Sequence, residues 1–305
     1  MFGKIGIYHH PAQAAARALG EELRPELSAG GAEVWLSSAW DPVTSTQDLP
    51  GTDLLICIGG DGTVLRAARA VIPNPTLILG VDMGRLAFLT EVTPADLRAR
   101  LPDLLAGKYH VEERAMLEVG LSGFGAEMPE VGHALNDVIL GRTSLGRPVY
   151  INVKVNGDLI GLIRADAVVV ASATGSTAYS LSAGGPILDP LSRSLVITPV
   201  APHLAAAAPI VLPQDTVIDL SPATDGAVAV SVDGQGQYSM TLGSSVRVRR
   251  SEHLARLVRF GQQPFFAQLG RRLAWLDERR LDAVGEGALD QESNLGIDSK
   301  YDRGR

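Results

Sequence analysis

The sequence predicts an α/β amino-terminal domain followed by an all-β, sandwich-like domain, α+β overall. Three observations carry this. Strand-like and helix-like hydrophobic periods alternate over the first hundred residues, the pattern of a parallel sheet covered by helices. The period then drops to two from Tyr109 to about Arg259, in short Val/Ile-rich runs separated by Gly, Pro, Asn and Asp. An amphipathic stretch, Pro264 to Leu276, follows with Phe265, Leu269, Leu273 and Leu276 near one face.

In order, Lys4 to Tyr8 reads as the first strand and Ala12 to Ala29 as an Ala-rich helix; Glu33 to Leu36, Leu54 to Ile58 and Thr76 to Val81 supply further strands. Pro94 to Leu105 is punctuated as a helix, with proline at its start and Gly107 past its end. In the β region, Tyr150 to Val155 and Leu159 flank Asn156-Gly157, a hairpin signal because both residues tolerate positive φ. Ala167 to Ala171, Leu195 to Thr198, Thr216 to Leu220, Ala227 to Val232 and Ser245 to Arg249 are the remaining strands. The expected domains are 1–108 and 109–260, then a helix within 261–284 returning to the first domain. A polar tail, 285–305, is expected to be disordered.

With a net charge of −7, whole-surface attraction to nucleic acid or anionic membrane is disfavoured, so small anions are the better partners. The single cysteine, Cys57, lies in an apolar run and reads as a buried space-filler. The amino terminus reads directly as a strand, with neither a signal-peptide h-region nor a transit pattern, and no apolar stretch is long enough to span a bilayer; the expected location is the cytoplasm.

Neither a Walker phosphate loop nor a Rossmann GxGxxG after a strand occurs, so phosphate handling needs another device. Gly59-Gly60-Asp61-Gly62-Thr63 joins an apolar strand to the helical pattern Val64 to Val71. Glycines permit close approach, and the free N–H groups of a helix starting at Thr63 form an anion site. A carboxylate there would repel phosphate unless Asp61 held a metal or took a proton from an attacking hydroxyl; the alternative is a helix cap. Ala171 to Pro186 is dense in hydroxyls and small residues and carries the aromatic face of Tyr179, which suits a nucleotide or sugar. Asn136-Asp137, Arg164-Ala-Asp166 and Val232-Asp-Gly-Gln235 each read alone as turns or surface polar features.

Taken together in order, GGDGT at Gly59, Ala134-Leu-Asn-Asp-Val138, TGSTAYSLSAGGPI at Thr174 to Ile187, Pro202-His203 and Asp233-Gly-Gln235 resemble the NAD kinase family from Lys4 to about Trp275. The resemblance implies transfer of the γ-phosphoryl of ATP to the 2′-hydroxyl of the adenosine ribose of NAD, giving NADP and ADP. It further implies a divalent cation (magnesium) on ATP, and a homodimer or homotetramer sharing site residues across its interface. It makes Asp61 the general base and Gly59, Gly60, Gly62 and Thr63 the phosphate loop. It assigns NAD contacts to Asp61, Gly62, Arg66, Phe88, Asn136, Asp137, Arg147, Arg164, Asp166, Gln235 and Ala201, and to Thr177, Ala178, Tyr179, Ser180, Leu181 and Ser182. It also gives Arg164 the selection of NAD over NADH, by shape or by pairing with Asp166. The chain departs from the family pattern where Asp137 replaces Glu, Ala87 a Gly, Ala173 a Pro and Ala208 an Arg. A lipid kinase sharing GGDGT and a silent NAD-binding regulator stay open as alternatives, as does polyphosphate in place of ATP.

Overall fold

The computed structural model describes residues 2–41, 47–84, 87–123, 131–144, 147–203, 208–224, 228–261 and 265–273. The leading part comprises β1 (Lys4–His9), α1 (Ala14–Ala29), β2 (Glu33–Ser38), β3 (Leu54–Gly59), α2 (Asp61–Ala70), β4 (Leu77–Asp82) and α3 (Pro94–Leu105). Its strands lie parallel in the order β2-β1-β3-β4. Successive strand residues face opposite sides, and helices cover both. Ile5, Ile7, Ile56 and Leu79 pack with Leu19 and Leu23 of α1 and Leu97 and Leu101 of α3. Tyr8, Leu55 and Cys57 pack with Val64, Ala67 and Ala68 of α2. Burial on both faces is why Leu54 to Ile58 is an unbroken apolar run. Cys57 is a free, buried thiol, pushed up by that burial and so kept protonated. The α3 start follows its punctuation: the Thr93 hydroxyl accepts from Asp96 N at 3.2 Å while the Asp96 carboxylate accepts from Thr93 N, a reciprocal cap.

The β-rich part runs through β5 (His110–Ser122), β6 (Val131–Ala134), β7 (Asp137–Arg142), β8 (Val149–Val155), β9 (Asp158–Ala165), β10 (Ala167–Ala171), β11 (Leu195–Val200), β12 (Ile210–Leu212), β13 (Ile218–Pro222), β14 (Val228–Val232), β15 (Gln235–Met240) and β16 (Ser245–Arg259). One sheet continues the first as β4-β16-β13-β8-β9, with β5 on β16 and β6 on β5; the other is β12-β11-β10-β7-β14-β15. Alternate residues from the facing sheets, Val138, Leu140, Ile151, Val153, Val168, Val170, Ile218 and Val248 among them, form the core between them. The outward Val169, Ala171 and Val196 are buried as well, under Leu188 of the hydroxyl-rich segment. Asn156 and Gly157 turn the β8–β9 hairpin with φ of 52° and 92°.

The strand expected to end at Arg249 continues to Arg259. A bulge between Arg250 and Leu254 interrupts the pairing with β5, and Arg256 and Leu257 then pair in parallel with Leu77 and Ile78 of β4. The strand expected from Thr216 begins at Ile218, and α2 starts at Asp61 rather than Thr63, with Gly60 as its N-cap. The second compact unit, residues 262–305, contributes α5 (Phe265–Arg272). Residues 274–305, including the end of the helix expected over 264–276 and the expected tail, lie outside the described residues.

Leu79 is fully buried between β4 and the α1/α3 layer. Leu79→Ala should lower unfolding free energy by about 2–5 kcal/mol. The check is urea unfolding with an unchanged slope and a lower midpoint.

Candidate active site

The loop after β3 sits at the carboxyl end of the parallel strands, where open α/β sheets bind ligands. A Cβ on Gly59 would overlap the Thr63 hydroxyl, so glycine there is a packing requirement; at Gly60 and Gly62 a Cβ would meet nothing. Those two glycines therefore leave open space, as close approach of a ligand needs. The Thr63 hydroxyl is buried without a hydrogen-bond partner. Asp61 occupies the first turn of α2, yet its carboxylate does not cap that helix. Its two oxygens accept from Phe88 N at 3.0 Å and Leu89 N at 2.8 Å, in the loop after β4. The cap reading of Asp61 is thereby set aside. Arg66, one turn along α2, lies 4.2 Å over the Trp40 ring. Burial, and then the neighbouring Arg69 charge, hold Arg66 below the ordinary arginine value. The second half of α2 thus carries two mutually repelling cations, with Arg69 in the last turn.

Across from this loop, the segment joining β6 to β7 is organised by a carboxylate. Asp233, in the β14–β15 turn with φ of 51°, accepts from Leu135 N at 2.8 Å, Asn136 N at 2.8 Å and Asp137 N at 3.1 Å. Burial pushes Asp233 up, and the three donors oppose that. Asp137 is also buried, and no described residue donates to its side chain. Burial first, and the adjacent Asp233 second, push the Asp137 carboxyl up to about 7. Of the pair, Asp137 is the member that takes the proton, because Asp233 has three N–H donors that favour its charge.

The hydroxyl-rich segment begins as a 3₁₀ turn at Thr174–Thr177 followed by the short α4 (Tyr179–Ser182). It is locked to Asn136: Ser172 N donates to Asn136 O at 2.9 Å, Ser172 Oγ to Leu135 O at 2.5 Å, and a Cβ on Gly175 would overlap the Asn136 carbonyl. Its hydroxyls divide into two sets. Ser176 and Ser180 are fully buried, Ser180 on Thr198 at 2.8 Å, so these bind the protein; Tyr179 and Ser182 are exposed, and Thr177, Ala178 and Leu181 are half-buried. The hydroxyl of Ser180, read from the sequence as an NAD contact, is thus directed to Thr198. Gln235 presents its amide oxygen to Arg69 Nη1 at 3.0 Å, tying α2 to β15.

Arg164, Asp166 and Ala201 form a separate cluster where β9, β10 and β11 end. The expected Arg164–Asp166 pair is absent because Asp166 is taken by Arg142 at 2.7 Å; Arg164 instead lies 5.7 Å over the cross-strand Tyr150 ring. Ala201 adopts φ of 45°, a strained value for a residue with a Cβ. Arg147 is exposed at the mouth of β8. Nearby, a cleft of about 230 Å³ is lined by Ile160, Leu162, Arg164, Pro202, Ala208 and Ile210, so Ala208 contributes apolar wall where the family pattern has an arginine. Sequence reading missed Arg69, Arg114, Arg259 and the inward role of Asp233. For Asp233 the usable signal was an Asp-Gly turn directly after a buried strand.

Residues 6–109 match the ATP-NAD kinase N-terminal domain and residues 135–260 the ATP-NAD kinase C-terminal domain. The NAD kinase of Dehalococcoides mccartyi is 35% identical over 266 residues, 87% of this chain and 94% of that protein. The NAD kinase of Heliobacterium modesticaldum is 42% identical over 72% of this chain and 78% of its own length. Among solved structures, yeast NADH kinase complexed with NADH superposes with a TM-score of 0.81 at 23% identity, covering 89% of this chain and 87% of that one. An NAD kinase from Archaeoglobus fulgidus in complex with ATP gives 0.71 at 24% identity, covering 89% and 98%. The α/β leading part and the β-rich part are the two domains of this fold, and the chain belongs to the ATP-NAD kinase family.

Proposed function

We propose that this chain transfers the γ-phosphoryl of ATP to the 2′-hydroxyl of the adenosine ribose of NAD, with Asp61 as general base. The observation that carries the reading is the Asp61 carboxylate, clamped by two N–H donors from another loop beside the open space at Gly60 and Gly62. In the step, the ribose O2′ forms a bond to Pγ, the bond from Pγ to the bridging oxygen breaks, and ADP leaves with that electron pair. The hydroxyl proton passes to Asp61, whose free lone pairs can accept it. The N–H groups at the start of α2 and the Arg66 cation suit the anionic phosphates. Exposed Tyr179 offers a stacking face, and Asp137, about half protonated at pH 7, can donate a hydrogen bond to the dinucleotide in its protonated form.

A divalent cation such as magnesium would ride on the ATP oxygens and neutralise developing charge. No group of three or more His, Cys, Asp or Glu gathers among the described residues, so the triphosphate supplies most of its donors. Relatives named NAD kinase support ATP and NAD as the substrates. The exposed Ile160, Leu162 and Ile210 make one apolar edge around Arg164. That edge supports a homo-oligomer in which Arg147, Arg164 and Asp166 complete a neighbour's site. No described helix can cross a membrane, and we assign the enzyme to NADP formation in the cytoplasm.

Asp61→Asn should lower kcat about 10²- to 10⁴-fold while NAD still binds. Its amide nitrogen is a donor and cannot accept, so one of the Phe88 and Leu89 N–H groups loses its acceptor and part of the loss is positional. Coupled NADP detection and NAD calorimetry separate the two effects, and near-wild-type kcat would remove Asp61 from the base role.

A second expectation follows from Asp137. The folded chain keeps its proton up to about pH 7, while the unfolded carboxyl releases it near 3.8. The associated stability is present at low pH and is lost as pH rises across that window. Asp137→Asn should therefore gain stability relative to wild type at pH 8 compared with pH 5. Denaturant midpoints at both pH values decide it; equal differences would reject the buried, protonated carboxyl.

For the oligomer, Leu162→Glu should yield a smaller species in analytical ultracentrifugation and raise KM for NAD more than it lowers kcat. An unchanged sedimentation coefficient would place the interface elsewhere.

A further inference from the structure

Four charged side chains outside the clamp around Asp61 form a chain of two buried arginines and two partly buried glutamates. Glu112 and Arg114 lie on β5 and Arg259 ends β16 beside them. Arg114 donates to Glu112 Oε1 from Nε at 2.9 Å and Nη2 at 2.6 Å, and Arg259 Nε donates to the same oxygen at 3.0 Å. Arg259 Nη1 reaches Glu91 Oε2 at 3.1 Å, and the other Glu91 oxygen accepts from Phe260 N at 2.9 Å. Both guanidinium groups are more than nine-tenths buried. Burial would raise Glu112, yet Arg114 and Arg259 hold its carboxyl below the ordinary glutamate range.

Both ends of this chain reach the site. Arg114 Nη1 donates to Thr174 Oγ1 at 3.3 Å, at the start of the hydroxyl-rich segment. Arg259 Nη1 donates to Leu89 O at 3.1 Å, and Leu89 N is one of the two donors holding Asp61. A single buried residue, Leu89, is therefore gripped on its carbonyl by Arg259 and on its N–H by Asp61. Buried ion pairs repay their desolvation poorly as stability, and well-packed apolar side chains would serve folding as well. What apolar residues could not do is hold a carbonyl in place. We infer that Arg259 is a positioning residue for the phosphoryl-transfer step: through Leu89 it sets where the Asp61 carboxylate sits, with Glu112 and Arg114 coupling that setting to the Thr174 loop. The inference rests on Asp61 being the base.

The test is a double-mutant cycle between Arg259→Lys and Asp61→Asn, read as kcat and KM for NAD, with thermal midpoints as the check on folding. Lysine keeps the charge but cannot bond Glu112, Glu91 and Leu89 together. Arg259→Lys should lower kcat about 10²-fold, the scale of a misplacement near 1 Å, with KM for NAD little changed. In the Asp61→Asn background the same substitution should lower kcat no further. Glu91→Gln, nearly isosteric, should shift kcat in the same direction and carries the test if Arg259→Lys does not fold. An unchanged kcat in folded Arg259→Lys, or equal losses in both backgrounds, would overturn the positioning role. If Asp61→Asn alone keeps kcat, the base assignment fails instead, independently of Arg259.

Discussion

Fifteen residues of β16 run as one strand through both halves of the chain. Over Ser245 to Arg250 they bond antiparallel to β5, with β13 on the other side; at Arg256 and Leu257 they bond parallel to β4. The α/β layer and the sandwich thereby share one ladder instead of meeting across a linker. Sliding one half against the other would require breaking that ladder, and a one-residue slip would turn every core side chain to the wrong face. The loop after β4, which clamps Asp61, and the turns that carry Asp137 and Thr174 are consequently held in a fixed relation. Arg259, at the end of the same strand, reaches the first of these loops directly.

Within that frame, carboxylates order the loops. Asp61 gathers Phe88 N and Leu89 N, and Asp233 gathers Leu135 N, Asn136 N and Asp137 N. Loop amides buried away from water must find acceptors, since each orphan costs about 1–3 kcal/mol. A charged acceptor serves several at once with short, strong bonds. The two differ in what remains available. Asp233 is enclosed and spends its charge on backbone, whereas Asp61 faces the open side of the glycine loop. Asp61 is thereby left available for the base role proposed for it, and Asp233 is not.

What could be read from sequence was whatever repeats locally. The fully apolar Leu54 to Ile58, the reciprocal cap at Thr93 and the positive-φ pair Asn156-Gly157 each declare themselves within a few residues. The site was legible where side-chain type and turn chemistry coincide, as at Gly59 to Thr63. It was not legible where the partner is distant in the chain. Arg259 and Leu89 are 170 positions apart and Asp233 and Leu135 are 98 apart, and neither arginine nor aspartate in a strand or turn signals which backbone group it will meet. The Ser180 hydroxyl was illegible for the same reason: a hydroxyl in a polar segment gives no sign that Thr198 will cover it.

The pairing of Asp166 with Arg142 also decides how Arg164 can act on a dinucleotide. Left unpaired with Asp166, the Arg164 guanidinium is exposed on β9 and lies over the Tyr150 ring. An exposed charge is screened by water and salt, so its Coulomb effect on a cationic, oxidised nicotinamide is small. The Tyr150 ring attracts the guanidinium from 5.7 Å and biases where that side chain lies. That leaves the room taken up by the Arg164 side chain beside Tyr150, rather than its charge, as the means by which the proposed selection of NAD over NADH would act.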